Sequence, residues 1–116
     1  MEKQLIKGQN LALALDNQFL ITKTSTETNN FFGKIEKKSF FELFDRALPK
    51  LIHADIEKTV RAKKTWRGFI KFTCMRSHFL WSFVTIIPTS SQSIIVNLKY
   101  AHKHEVQTIS ELYREL

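Results

Sequence analysis

Four imidazoles and one thiol are the side chains of this sequence best suited to metal or nucleophilic chemistry: His53, His78, His102, His104 and Cys74. The His102-x-His104 pair could hold a metal weakly. It comes with no paired cysteine and no third imidazole, so a strand-to-helix junction is the simpler reading and no metal site is expected. His53 falls on an expected helix, where an imidazole can serve as an axial haem ligand; the plainer alternative is a hydrogen-bonding histidine at a helix edge. Cys74 falls in an alternating apolar stretch and reads as a small buried side chain. Neither a Gly-x-Ser-x-Gly elbow nor a Gly-rich phosphate loop is present, and the chain has three glycines in all. These residues do not assemble a catalytic constellation, and no enzyme is expected.

A second kind of chemistry is electrostatic. Lys58, Arg61, Lys63, Lys64, Arg67, Lys71 and Arg76 lie in one stretch without an acid, and they account for the whole net charge of +7. Such a run is a cue for nucleic acid or another anionic partner. No aromatic RNA-binding strand, GxxG clamp or Cys/His pair accompanies it. A solvated helix end followed by the outer positions of a strand explains it as well.

The elements that must carry these groups follow from periodicity. Leu11–Leu15, a turn at Asp16-Asn17-Gln18 and Phe19–Thr22 read as a β-hairpin. Thr24-Ser-Thr-Glu27 fits a capping box opening a short helix that Gly33 closes, and Ser39-Phe-Phe-Glu42 repeats the pattern. Pro49 suits the first turn of a longer helix, on which Ile52, Ile56 and Val60 form a stripe. From Trp66 the period becomes two: strands are expected over Trp66–Met75, Phe79–Ile87 and Ser93–Tyr100. The tail, His102 to Leu116, reads as a helix with Val106, Ile109, Leu112 and Leu116 on one side. Two strands, short helices, one longer helix, three strands and a last helix predict an α+β fold: a five-stranded antiparallel sheet with helices on one face.

The 116 residues (13.6 kDa) make one domain. A single cysteine excludes an internal disulfide and suits a reducing compartment. No apolar run reaches the ~18–20 residues of a membrane span, and the first residues lack a signal-peptide core. A cytoplasmic domain without membrane insertion is the expectation.

The order of elements and several residues resemble a PAS domain, in particular the sensor domain of bacterial aerotaxis and energy-sensing chemoreceptors. The matching positions are Pro49, Ala54-Asp55, Trp66-x-Gly68-x-x-Lys71, Trp81 and Pro88, with Asp16, Ile21-Thr22 and Gly33 upstream. Glu105-Val106 and Leu112-Tyr113 resemble the helical segment that follows the domain in those receptors. The resemblance covers nearly the whole chain after residue 10. It implies a PAS sensor domain over residues 1–101, with 1–10 as N-terminal flank, and a helical segment, 102–116, leading to a signalling or dimerisation element.

The resemblance implies a sensory module that binds a small ligand or cofactor and relays the change to an effector domain or protein. Ser25, Phe44, Trp66, Ile70, Phe72 and Trp81 are the candidates to line its pocket, partly by resemblance and partly by strand alternation. FAD-binding members carry an Asn where this chain has Ser25, and Arg-His-Pro-Asp where it has Phe44, Asp45, Arg46 and Ala47. Unpartnered buried polar groups cost roughly 2–7 kcal/mol each, so a stoichiometric FAD protein is not expected and the cofactor stays open. The Gly-x-Asn-Cys-Arg-Phe-Leu-Gln helix of cysteinyl-flavin light sensors is absent. Strand 79–87, apolar on both faces, predicts a homodimer or a covering helix. Two alternatives stand beside the sensor reading: a basic nucleic-acid-binding domain, and a PAS-like dimerisation module with a filled core.

Overall fold

A computed structural model describes residues 10–74 and 79–100. The expected tail helix 102–116, the turn Arg76-Ser77-His78 and most of the N-terminal flank lie outside the described residues. Five strands form one antiparallel sheet: β1 (Asn10–Leu15), β2 (Ile21–Thr24), β3 (Trp66–Thr73), β4 (Phe79–Pro88) and β5 (Ile94–Tyr100), in the order β2-β1-β5-β4-β3. Helices α1 (Thr26–Phe32) and α2 (Leu51–Arg61) and a 3₁₀ turn, Phe40–Leu43, lie between β2 and β3 in the chain. The sheet predicted from strand alternation is present, and β1 closes against β5, so the first and last strands are neighbours.

Local chemistry sets the ends of these elements. Asp16 Oδ1 accepts from the Gln18 and Leu20 amides at 2.9 and 3.0 Å, and Phe19 takes the left-handed conformation (φ 65°). The backbone at Phe19 is therefore committed to the turn, and β2 starts at Ile21, two residues later than alternation suggested. Helix α1 is capped by Ser25, one residue beyond the expected Thr24: Ser25 Oγ accepts from the Thr28 amide. Thr24 ends β2 and donates to Asn29 Oδ1 at 2.8 Å. Gly33 closes α1 at φ 77°, its amide donating to the Asn29 carbonyl at 2.8 Å. At the second box the Ser39 amide donates to Glu42 Oε2 at 3.0 Å. Pro49 sits just ahead of α2, whose buried side is Ile56 and Val60, with Ile52 half-buried.

Strand β3 ends at Thr73, so Cys74 lies just past it and not within a strand reaching Met75. Cys74 is half-buried against the core, and burial pushes its thiol from an ordinary 9.0 up to about 11. It therefore stays protonated at neutral pH, in keeping with a packing role.

Alternation sorts the sheet into two faces. Leu11, Leu13 and Leu15, Ile70 and Phe72, Leu80, Val84 and Ile86, and Ile94, Val96 and Leu98 are buried on the face that meets Phe32, Phe40, Phe44, Ile56 and Val60. Each large side chain removed from water there contributes about 1.5–3 kcal/mol. Arg67, Phe69 and Lys71 of β3 and Trp81, Phe83 and Ile87 of β4 belong to the opposite, outer face.

Candidate functional site

The interior between the helices and β3 is built of aromatic rings. Phe44 stands edge-on to Phe40 (5.1 Å between centroids) and to Phe72 (5.5 Å), and Phe32 meets Phe72 edge-on at 5.7 Å. Such edge-to-face pairs contribute about 0.5–1.5 kcal/mol beyond the area they bury. The segment after the 3₁₀ turn is pinned to β3 to hold Phe44 in place. Phe44 bridges Phe72, the Asp45 amide donates to the Lys71 carbonyl at 2.9 Å, and Lys71 Nζ lies 3.3 Å from Asp45 Oδ2. Phe41 continues the cluster toward α2, where His53 stacks on it at 4.8 Å and meets Phe44 edge-on at 5.0 Å. Desolvation, the largest influence on His53, lowers its pKa from 6.5, with Lys50 adding to the shift and Glu57 opposing it.

Trp66 closes one end of this interior. Its indole Nε1–H donates to Asp55 Oδ2 on α2 at 2.8 Å, tying the helix to the start of β3. The indole lies across Gly68: a Cβ there would come within 2.6 Å of the Trp66 ring. The Trp-x-Gly spacing thus has a physical reason, because only a residue without a side chain leaves room for that ring.

Of the six residues expected to line a site, Phe44, Ile70 and Phe72 are buried in the core and Trp66 packs at its edge. Ser25 is committed to its cap, with its hydroxyl 2.8 Å from Thr28 Oγ1 and within 3.4 Å of the Ala12 amide. Trp81 is carried on the outer face. Because Phe72 pairs with Leu80, the inward neighbour of Phe72 on β4 is Leu80, and Trp81 stands opposite Lys71. Phe40, Phe41 and His53 join the cluster without having been among the six. The signal for Phe40 and Phe41 was the Ser39–Glu42 box, which makes a tight turn of the two phenylalanines inside it. The signal for His53 was its place beside Ile52 on the apolar edge of α2.

The side chains that meet here are apolar. The rings present hydrocarbon, Arg46 is exposed, and Lys71 is engaged with Asp45. These residues do not fit the phosphates of a dinucleotide, which would need buried cations or amide donors. Among the described residues no three His, Cys, Asp or Glu side chains gather as a metal site would require. Among the described residues the basic stretch is divided between two elements. Lys58, Arg61, Lys63 and Lys64 sit at the end of α2, which packs on the inner face, whereas Arg67 and Lys71 project from the outer face of β3.

No protein-family profile and no curated protein matches this sequence. Solved structures do. The PAS domain of the Cronobacter turicensis RpfR quorum-sensing receptor in complex with BDSF superposes with a TM-score of 0.69 at 10% identity, covering 85% of this chain and all of that one. The same domain in complex with C12:0 gives 0.69 at 9% identity. The fold is that of a PAS domain. The Erythrobacter litoralis blue-light activated histidine kinase EL346 matches at a TM-score of 0.71 and 9% identity; the match covers 92% of this chain and 39% of the kinase. Among the described residues no helix of this PAS fold is long and apolar enough to cross a membrane.

Proposed function

We propose that this PAS domain is a sensory relay module, without catalytic activity of its own, whose aromatic interior takes a small apolar ligand. The observation that carries this reading is the cluster Phe32, Phe40, Phe44 and Phe72, which joins α1 and the 3₁₀ turn to β3 and meets α2 at His53. A guest that displaces these rings changes the seating of α2 on the sheet. The Trp66–Asp55 bond passes that change to β3. A bias of this kind reaches a downstream effector when the two seatings differ in free energy and the ligand prefers one. The neighbour that holds C12:0 supports an elongated apolar guest over a charged cofactor. The aerotaxis-type resemblance supports a receptor or chemotaxis context in the cytoplasm.

The test is thermal denaturation with C12:0 as the probe, together with an absorption spectrum of the purified protein. Saturating probe at about 100 times its Kd should add about 2.7 kcal/mol, which raises Tm by roughly 10 °C. Flavin bands retained through gel filtration would overturn the apolar-ligand reading. An unmoved Tm would favour the second reading, a ligand-free relay and dimerisation module. That reading has its own support in the close ring packing, with centroids 5.1–6.0 Å apart.

A further inference from the structure

A cavity of about 300 Å³ opens at the edge of the sheet, where the end of α2, the β1–β2 turn and the β4–β5 loop converge. It lies outside the Phe32, Phe40, Phe44 and Phe72 cluster, which it adjoins through the Phe19–Phe41 ring contact at 5.2 Å. Phe19, Val60 and Ile94, all buried, supply its apolar wall. Arg61 and Lys63 line it as exposed cations, and no Asp or Glu is among its lining residues. The nearest acid in sequence, Asp16, spends its Oδ1 on the amides of its own turn. The Arg61 guanidinium rests over the Phe19 ring at 5.5 Å, and neither Arg61 nor Lys63 has a carboxylate partner among the described residues.

The backbone here holds these groups against local preference. Helix α2 ends in a Schellman turn: the Lys63 amide donates to the Val60 carbonyl and the Lys64 amide to the Thr59 carbonyl, at 2.9 and 3.1 Å. Lys63 therefore occupies the left-handed position (φ 63°) where glycine is the usual residue. Of the four non-glycine residues with positive φ among those described, Phe19, Lys63 and Gln92 all line this cavity. Such strain collects at functional sites because the surroundings must hold it in place. The Schellman turn satisfies the Thr59 and Val60 carbonyls of the last helical turn. Across the cavity, the Thr89 hydroxyl donates to the Ser93 carbonyl at 2.9 Å. The Ser93 hydroxyl in turn donates to Thr89 Oγ1 at 2.8 Å, so the Gln92 side-chain amide is the donor on this wall that can turn to a guest.

We propose that this cavity binds a small phosphate monoester carried on a flat aromatic body. Two cations match the two charges of the phosphate, the Gln92 side-chain amide adds a hydrogen-bond donor, and Phe19, Val60 and Ile94 meet the body. The volume is at the lower end for a small-molecule site and suits one compact guest.

The experiment follows backbone amide resonances of the whole protein during titration with AMP, adenosine, inorganic phosphate or a single-stranded oligodeoxynucleotide. AMP should give saturable shifts at Phe19, Lys63 and Gln92 through Ile94. Adenosine and inorganic phosphate, each holding half of the recognition chemistry, should bind at least about tenfold more weakly. Arg61→Gln and Lys63→Gly should each weaken AMP by a similar factor. Lys63→Gly keeps or raises the melting temperature, because glycine suits the position, so a loss of binding there is not a loss of folding. Three results would overturn the proposal: amides unmoved by AMP, unchanged affinity in both variants, or a response to the oligonucleotide with none to AMP.

Discussion

Trp66 and Gly68 show how one residue's chemistry depends on a neighbour's lack of a side chain. The indole reaches Asp55 only by lying over Gly68, so Gly68→Ala must either push the ring aside or strain β3. Overpacking of this kind costs about 1–3 kcal/mol, against which alanine's lower backbone entropy returns about 0.5–1. A net loss of about 1 kcal/mol is expected in urea denaturation. Asp55→Ala breaks the same hydrogen bond from the exposed side and should cost about 0.5–1.5 kcal/mol. Because both changes act on one contact, the double variant should lose less than their sum. Strict additivity would mean that Trp66 and Asp55 are not coupled through this bond.

At the scale of elements, α2 is held by three different contacts: Ile56 and Val60 in the core, Asp55 on Trp66, and His53 on the Phe41 and Phe44 rings. The last is pH-dependent, and its sign follows from the lowered pKa. Folding keeps His53 neutral, so the unfolded chain binds more protons once the pH falls below about 6.5. The contribution is whole above that pH and declines as the pH drops toward and through the lowered folded value. Melting temperatures at pH 7.5 and 5.5 should therefore differ more for the wild type than for His53→Gln, which cannot be protonated. Equal differences would show that His53 takes no part in the acid sensitivity.

For the whole molecule, the outer face of the sheet is the surface through which a second copy is expected to dock. Phe79 and the adjacent pair Ile87 and Ile95 expose 57%, 40% and 40% of their surface, beside Phe69, Trp81 and Phe83. Phe69 and Phe83 meet at 5.2 Å, and Lys71 lies 4.2 Å over Phe79, so the patch is laid out before any partner arrives. An apolar area of this kind on a small domain favours association with a second copy, in the symmetric arrangement commonest for soluble oligomers. Light scattering over a concentration series is expected to show a rise toward twice 13.6 kDa. Ile87→Lys with Ile95→Lys should push that rise to higher concentration. A mass fixed at one chain throughout would exclude self-association through this face.

The fold was legible in the sequence because its signals are local. Alternation over 66–73, 79–88 and 94–100 needs only a period of two, and the Ser39–Glu42 box and the closure at Gly33 need only neighbouring residues. Phe44, Ile70 and Phe72 were legible as an inward set for the same reason. Alternation also puts Trp81 on one face of β4 with Phe79 and Phe83, while its neighbour across the strands, Lys71 and not Phe72, is set by the register of β4 against β3, a property of two strands together. Ser25 was likewise settled by a one-residue shift of the helix cap, which turned its hydroxyl to Thr28 and Ala12. The Phe41–His53 stack and the meeting of Phe19, Lys63 and Gln92 at one cavity join residues far apart in the chain. Sequence periodicity determines which face a residue takes within its own element. Only tertiary packing decides which faces meet, because that choice is made by contacts between elements and leaves no local pattern.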